Sequence, residues 1–172
     1  MEIDETYVPD SHKGIKQTDG RKARKHGESA EKRGLSKEKL CIFMGSNRIG
    51  SEVAQCINLA NPCSQEVIEL FGPSIKSKSM LIDDGLFSNY ELVKQKHLTS
   101  LVVSDHYEFS EVLQLNAVNN MHSGFKDLYR YYRGVSSQYL NRYLALYVFI
   151  RRFAGMDNYE KLMVFLQKTK GL

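Results

Sequence analysis

Several absences narrow this 172-residue chain before any motif is read. No apolar run approaches the roughly 20 residues that a membrane-spanning helix needs, so such a helix is excluded. The opening residues, MEIDETYV, are acidic and carry no apolar core of the kind that marks a secretory signal. Cysteine is scarce. Cys41, Cys56 and Cys63 form no CxxC pair, and an odd count among apolar neighbours reads as buried thiols in a reducing compartment, not disulfides or a zinc site. His12, His26, His97 and His106 show no metal-ligand spacing and take no role. No internal repeat is visible, and no low-complexity tract apart from one basic stretch. These features predict a cytoplasmic protein with one well-cored domain, or one domain plus an extension.

What the chain does have is charge sorted by position. The net charge of +4 conceals two basic and two acidic stretches. Residues 11–39 hold ten Lys/Arg against four Asp/Glu, and residues 125–170 hold nine against three. Residues 1–10 carry four acids and no base, while residues 40–124 carry nine acids and five bases. Basic arms flanking acidic positions suit a polyanion bound over a cation site. A solvated surface with no partner is the bland alternative for the 11–39 stretch, and it stands at even weight there.

Periodicity places the elements. Residues 2–8 alternate as a strand, with Ile3, Glu5 and Tyr7 on one face and Asp4 and Thr6 on the other. Residues 9–38 lack large apolar side chains and predict a flexible basic loop. Strands follow at 40–45 and 51–59, a short helix capped by Ser64, a strand at 79–83, a helix near 89–96 and a strand at 98–103. From Ser110 the pattern turns helical: 110–132, 136–153, then a helix opened by Asp157 and Glu160 as a capping box. Three strands, then alternating helix and strand, then helices, predict an α/β fold whose sheet has antiparallel and parallel parts.

Three oxygen-bearing side chains stand out against this frame. Asp4 lies inside the first strand, Asp84 in MLIDDG at the end of the fourth, and Asn119 in LNAVNNMHSGFK on a long helix. Oxygen ligands from separate elements are what a Mg²⁺ site for phosphodiester chemistry needs, with Mn²⁺ as a substitute. Lys126, seven residues after Asn119, projects from the same helix face about 10 Å along the axis, with His122 and Ser123 between them. Glu5 and Asp83 are the neighbouring alternatives. Strand alternation turns Glu5 away from whatever Asp4 faces. The residues alone leave Asp83 and Asp84 open, because Asp-Gly is also a common turn.

The words EIDETYV, IDDG, and VNNMHSGFK running into RGVSSQYLNRYL resemble the catalytic domain of bacterial insertion-sequence transposases of the DDE superfamily. The likeness is to the branch with Asp, Asp, then Asn or Glu, and a following Lys, and it spans roughly residues 2–153. It implies an RNase H-like fold with a mixed five-stranded sheet, flanking helices and a helical C-terminal part. It assigns Asp4, Asp84 and Asn119 to catalysis and metal, and Lys126 to catalysis and DNA. Of the two adjacent aspartates it selects Asp84, since the family's Gly directly follows the catalytic Asp. It also implies double-stranded DNA partners, both element ends and target, a homodimer in the active complex, and a cytoplasmic, nucleoid-associated site of action. Lys22, Arg24, Lys25, Lys126, Arg130, Arg133 and Arg142 are the expected nucleic-acid contacts. Domain expectations follow: residues 1–153 catalytic, with 9–38 as the loop, and 154–172 a C-terminal helix.

One departure shapes the alternatives. The chain opens three residues before Asp4, where the family is expected to carry an upstream DNA-binding region. The expectation is therefore an isolated catalytic domain. An inactive remnant that only binds DNA, or another RNase H-like nuclease such as a junction resolvase, is the competing reading.

Overall fold

The computed structural model describes residues 1–14, 39–59, 62–103 and 114–169. Its elements run in the order β1 (Glu2–Pro9), β2 (Lys39–Ser46), β3 (Glu52–Leu59), α1 (Ser64–Phe71), β4 (Met80–Asp83) and α2 (Tyr90–Lys96). β5 (Thr99–Val102), α3 (Asn116–Tyr131), α4 (Leu140–Arg152) and α5 (Asn158–Thr169) complete them. The five strands form one sheet in the order β3-β2-β1-β4-β5. β1 pairs antiparallel with β2, from Glu2 opposite Ser46 to Pro9 opposite Lys39, and β2 pairs antiparallel with β3. β4 lies parallel to β1 and to β5. The sheet is mixed, as the element order predicted.

Helices cover both faces, and this explains why LCIFMG reads as an unbroken apolar run. On one face Val8, Ile42 and Met44 pack with Val118, Met121 and Phe125 of α3 and Leu140, Leu144 and Tyr147 of α4. On the other, Ile3, Cys41 and Phe43 pack with Val67 and Phe71 of α1 and Leu92 of α2. β1 is therefore central in both senses, flanked by strands and sandwiched by helices.

The α3–α4 contact depends on one glycine. Tyr147 is buried and its hydroxyl donates to the Met121 carbonyl oxygen at 2.7 Å. A Cβ on Gly124 would lie 2.6 Å from that hydroxyl, so only glycine admits the approach. Tyr132 and Tyr143 pack edge to face at 5.1 Å, in keeping with a packing role.

Three boundaries differ from the sequence reading. α3 begins at Asn116, not near Ser110, because Gln114 and Leu115 bend. Residues 110–113 lie outside the described residues. The cap comes from another element. Glu2, 1% exposed, accepts the Ala117 and Val118 N–H groups at 2.8 and 3.1 Å through one carboxylate oxygen. Its other oxygen accepts from Arg48, whose guanidinium also donates to the Gln114 carbonyl at 2.7 Å. No local periodicity reveals a cap donated from 115 residues away. Cys63, not Ser64, is the N-cap of α1, and its N–H donates to Glu66 at 2.9 Å. The Asp157–Glu160 capping box of α5 forms with reciprocal bonds of 2.8 and 3.0 Å.

The expected loop at 9–38 is anchored at its start. Pro9 still belongs to β1. Asp10 and Ser11 bond Ser137, at 2.6 Å to Asp10 and 2.7 Å from the Ser11 N–H. The Lys13 ammonium donates to the carbonyls of Tyr132 and Gly134 at 2.8 and 2.9 Å, at the C-terminal end of α3. A cation there satisfies carbonyls the helix leaves open. Residues 15–38, with Lys22, Arg24 and Lys25, lie outside the described residues.

Candidate metal centre

The site forms where β4 leaves β1. The two strands pair through Glu2 opposite Ile82, and β4 ends at Asp83. Gly85 then turns the chain with φ +86°, and a Cβ there would lie 2.8 Å from the Val102 side chain, so the Asp-Gly step needs its glycine. Beyond this point one edge of β1 has no strand beside it among the described residues. The Glu5 N–H turns instead to the Asp4 carboxylate at 2.9 Å.

Asp4, Glu5 and Asp84 meet at this edge, each offering one carboxylate oxygen within 4.8 Å of the others. Glu5 corrects the expectation that it faces away from Asp4. Alternation fixes where Cβ points. It does not fix the carboxylate of a long side chain beside an open edge. The two aspartates of IDDG divide the work. Asp83, 2% exposed, accepts the Gly85 N–H at 2.6 Å and faces the Ser100 hydroxyl at 3.5 Å, bracing the turn. Asp84 is exposed and, among the described residues, accepts only the Leu86 N–H, at 3.2 Å.

Electrostatics mark the cluster as short of positive charge. Burial, then the charge of Asp84, raises Asp4 from 3.8 to about 6, with the Glu5 N–H and Lys126 pulling it partly back. Burial, then Asp84 and Asp4, raises Glu5 from 4.5 to about 7. Carboxylates that repel one another at this range gain from a shared cation. An all-oxygen donor set is the kind that Mg²⁺ and Mn²⁺ take, so the residues present fit such an ion.

α3 runs along the cluster with Asn119, His122 and Lys126 on one stripe, at i, i+3 and i+7. His122 sits closest. Its Nδ1 is 3.6 Å from Asp4 Oδ2, and its side chain is 8% exposed. Burial, with Lys126 nearby, pushes its pKa down to about 4, so the ring is neutral at pH 7. Lys126 is exposed, and its charge acts on both Asp4 and His122. Asn119 is exposed, and among the described residues its side chain makes no hydrogen bond. His122 received no role in the sequence reading. Its signal was present: an imidazole three residues from Asn119, on the border of the apolar face formed by Val118, Met121 and Phe125.

The basic residues divide into engaged and outward-facing groups. Arg151 is held by Glu52 through two bonds of 2.7 and 2.8 Å and by Asn120 at 3.0 Å. Arg130 pairs with Asp127 at 2.8 Å where both are exposed. Arg142 lies over the Tyr139 ring at 5.3 Å. Arg133, also exposed, occupies the turn after α3 with φ +53°.

A mixed five-stranded sheet wrapped by helices, gathering carboxylates of its central strand β1 beside the end of the parallel strand β4, is an RNase H-like domain of the DDE class. Residues 1–151 match the family model described as an ISXO2-like transposase domain. The chain belongs to that family, and it is an insertion-sequence transposase domain. No curated protein matches the chain, and no solved structure does. Among the described residues no helix is long and apolar enough to cross a membrane.

Proposed function

We propose that this domain cuts DNA at the ends of an insertion sequence and joins the freed 3′ ends to target DNA, using divalent cations. The observation that carries the reading is the meeting of Asp4, Glu5 and Asp84 at the open edge of β1, in a chain of a transposase family. These three carboxylates would hold Mg²⁺, with Mn²⁺ as a substitute, and Asn119 would add a neutral oxygen from α3. When bound, such ions lower the pKa of an attacking water or 3′-hydroxyl and stabilise the leaving oxygen. Lys126, whose charge already reaches Asp4, holds a phosphate oxygen beside the scissile one. Arg130, Arg133 and Arg142, with Lys22, Arg24 and Lys25 of the basic segment, follow the backbone of double-stranded DNA. The catalytic domain spans 1–153 and is followed by the C-terminal helix α5, and the active complex is a homodimer working at the nucleoid in the cytoplasm.

The test is a strand-transfer assay in Mn²⁺ with DNA carrying the element's ends. The wild type joins ends to target and Asp84→Ala does not, with product falling at least a hundredfold. Cleavage of RNA–DNA hybrids or four-way junctions without joining identifies a different RNase H-like nuclease. DNA binding without cleavage identifies an inactive remnant.

A further inference from the structure

His122 presents two nitrogens in a site that is nearly closed to solvent. Nδ1 faces Asp4 Oδ2 at 3.6 Å, and Nε2 is buried with no hydrogen-bond partner among the described residues. Only one tautomer suits this placement. With the proton on Nε2, a buried donor has no acceptor, and the Nδ1 lone pair opposes a carboxylate oxygen. With the proton on Nδ1, the donor has the Asp4 carboxylate oxygen 3.6 Å away and the Asp4 backbone as acceptors, and only a weakly demanding lone pair is left over. The other Asp4 oxygen already accepts the Glu5 N–H at 2.9 Å. The carboxylate is thus addressed from its own strand on one side and from α3 on the other.

Resting on the transposase reading above, we infer that His122 is a positioning residue, whose Nδ1–H fixes the Asp4 carboxylate in the orientation that receives a divalent cation. The ring is held by packing, being buried on α3 beside Met121 and Phe125. A movement of about 0.7 Å brings the present separation to an ordinary N–H···O length. Such contacts commonly tighten when the site is loaded. The role differs from that of the ligands, since His122 touches the cation only through Asp4. It also explains an imidazole that α3 buries at the edge of its apolar face, where leucine would pack at lower cost.

The experiment is Mn²⁺ binding by calorimetry on the full chain, comparing the wild type with His122→Leu and His122→Asn. Leucine keeps the packing and removes the donor, whereas the Asn side-chain N–H₂ stands close to where Nδ1–H stood. Removal of such an outer partner commonly weakens metal affinity 10–100-fold. The inference predicts a loss of that order, at least tenfold, in His122→Leu, with most of it recovered in His122→Asn. A role confined to packing gives the opposite order, with affinity kept by Leu and stability lost by Asn. ¹⁵N shifts of the wild-type ring give a second reading that survives any folding defect, and an Nε2–H tautomer overturns the inference. Equal Mn²⁺ affinity in all three proteins removes His122 and leaves the transposase reading in place. A wild type that binds no Mn²⁺ overturns both.

Discussion

Glu5 shows how far one side chain can depart from the pattern of its strand. Its Cβ belongs to the Ile3–Tyr7 face, yet its carboxylate joins Asp4 and Asp84 because β4 has already turned away. Glu5→Gln keeps the shape and removes a charge, so Mn²⁺ affinity should fall about tenfold by calorimetry. Unchanged affinity would take Glu5 out of the centre. Asn119→Asp adds a charged oxygen on the same stripe as His122 and should tighten Mn²⁺; no change would remove Asn119 from the ligand set. The raised carboxylates also set a pH dependence. Asp4 and Glu5 hold their protons more tightly when folded, so their contribution to stability is fullest below the ordinary values of 3.8 and 4.5. It is lost as pH rises through about 6 and 7. Asp83 and Asp84 strengthen the effect, and Lys126 opposes it. Melting curves in chelator should show wild-type stability declining between pH 5 and 8 relative to Glu5→Gln. Added Mn²⁺ should remove the difference. A rise instead of a decline would contradict the charge balance described here.

Two elements owe their geometry to single long-range contacts. The start of α3 is closed by Glu2 of β1, which ties the strand that carries Asp4 and Glu5 to the helix that carries His122 and Lys126. Glu2→Ala removes the acceptor of two helix N–H groups and one of the acceptors of Arg48, at a cost of about 2–3 kcal/mol measurable by urea unfolding. At the other end of the contact, Gly124→Ala forces the Tyr147 hydroxyl off Met121. Tyr147→Phe alone should cost about 1 kcal/mol. Combined with Gly124→Ala it should restore stability, because the nearest remaining ring atom then lies 3.5 Å from the new Cβ, at ordinary contact distance. Strictly additive losses would contradict this packing. These contacts mark where sequence reading reaches and where it stops. Strand and helix types along the described chain follow from local pattern, as in EIDETYV, LCIFMG and the Asp157–Glu160 box. The start of α3 does not, since Glu2 caps it across the fold. Nor does the separation of Asp83 from Asp84, which depends on Ser100 and the Gly85 turn. Glu5 was hidden for a similar reason. Its place depends on a strand edge left open by β4, which is not written within a few residues of it.

At the scale of the whole molecule, the negative carboxylates beside β1 and the end of β4 lie within reach of the positive charge of Lys126 on α3. DNA held over the centre by Lys126, Arg130, Arg133 and Arg142 should bind with an affinity that falls linearly in log–log form with salt. Deleting residues 15–38, which leaves the anchored Lys13 in place, should flatten that slope, since eight Lys/Arg of the chain lie in that segment. An unchanged slope would remove the segment from the DNA interface. Arg151→Ala should instead lower stability more than it alters the slope, because Glu52 already holds its guanidinium. The account as a whole rests on a divalent cation seated between β1 and the end of β4. The most direct measurement is anomalous scattering from a crystal of the protein soaked in MnCl₂. The prediction is a manganese peak bounded by the carboxylates of Asp4, Glu5 and Asp84; no peak there, with manganese bound elsewhere or not at all, would contradict it.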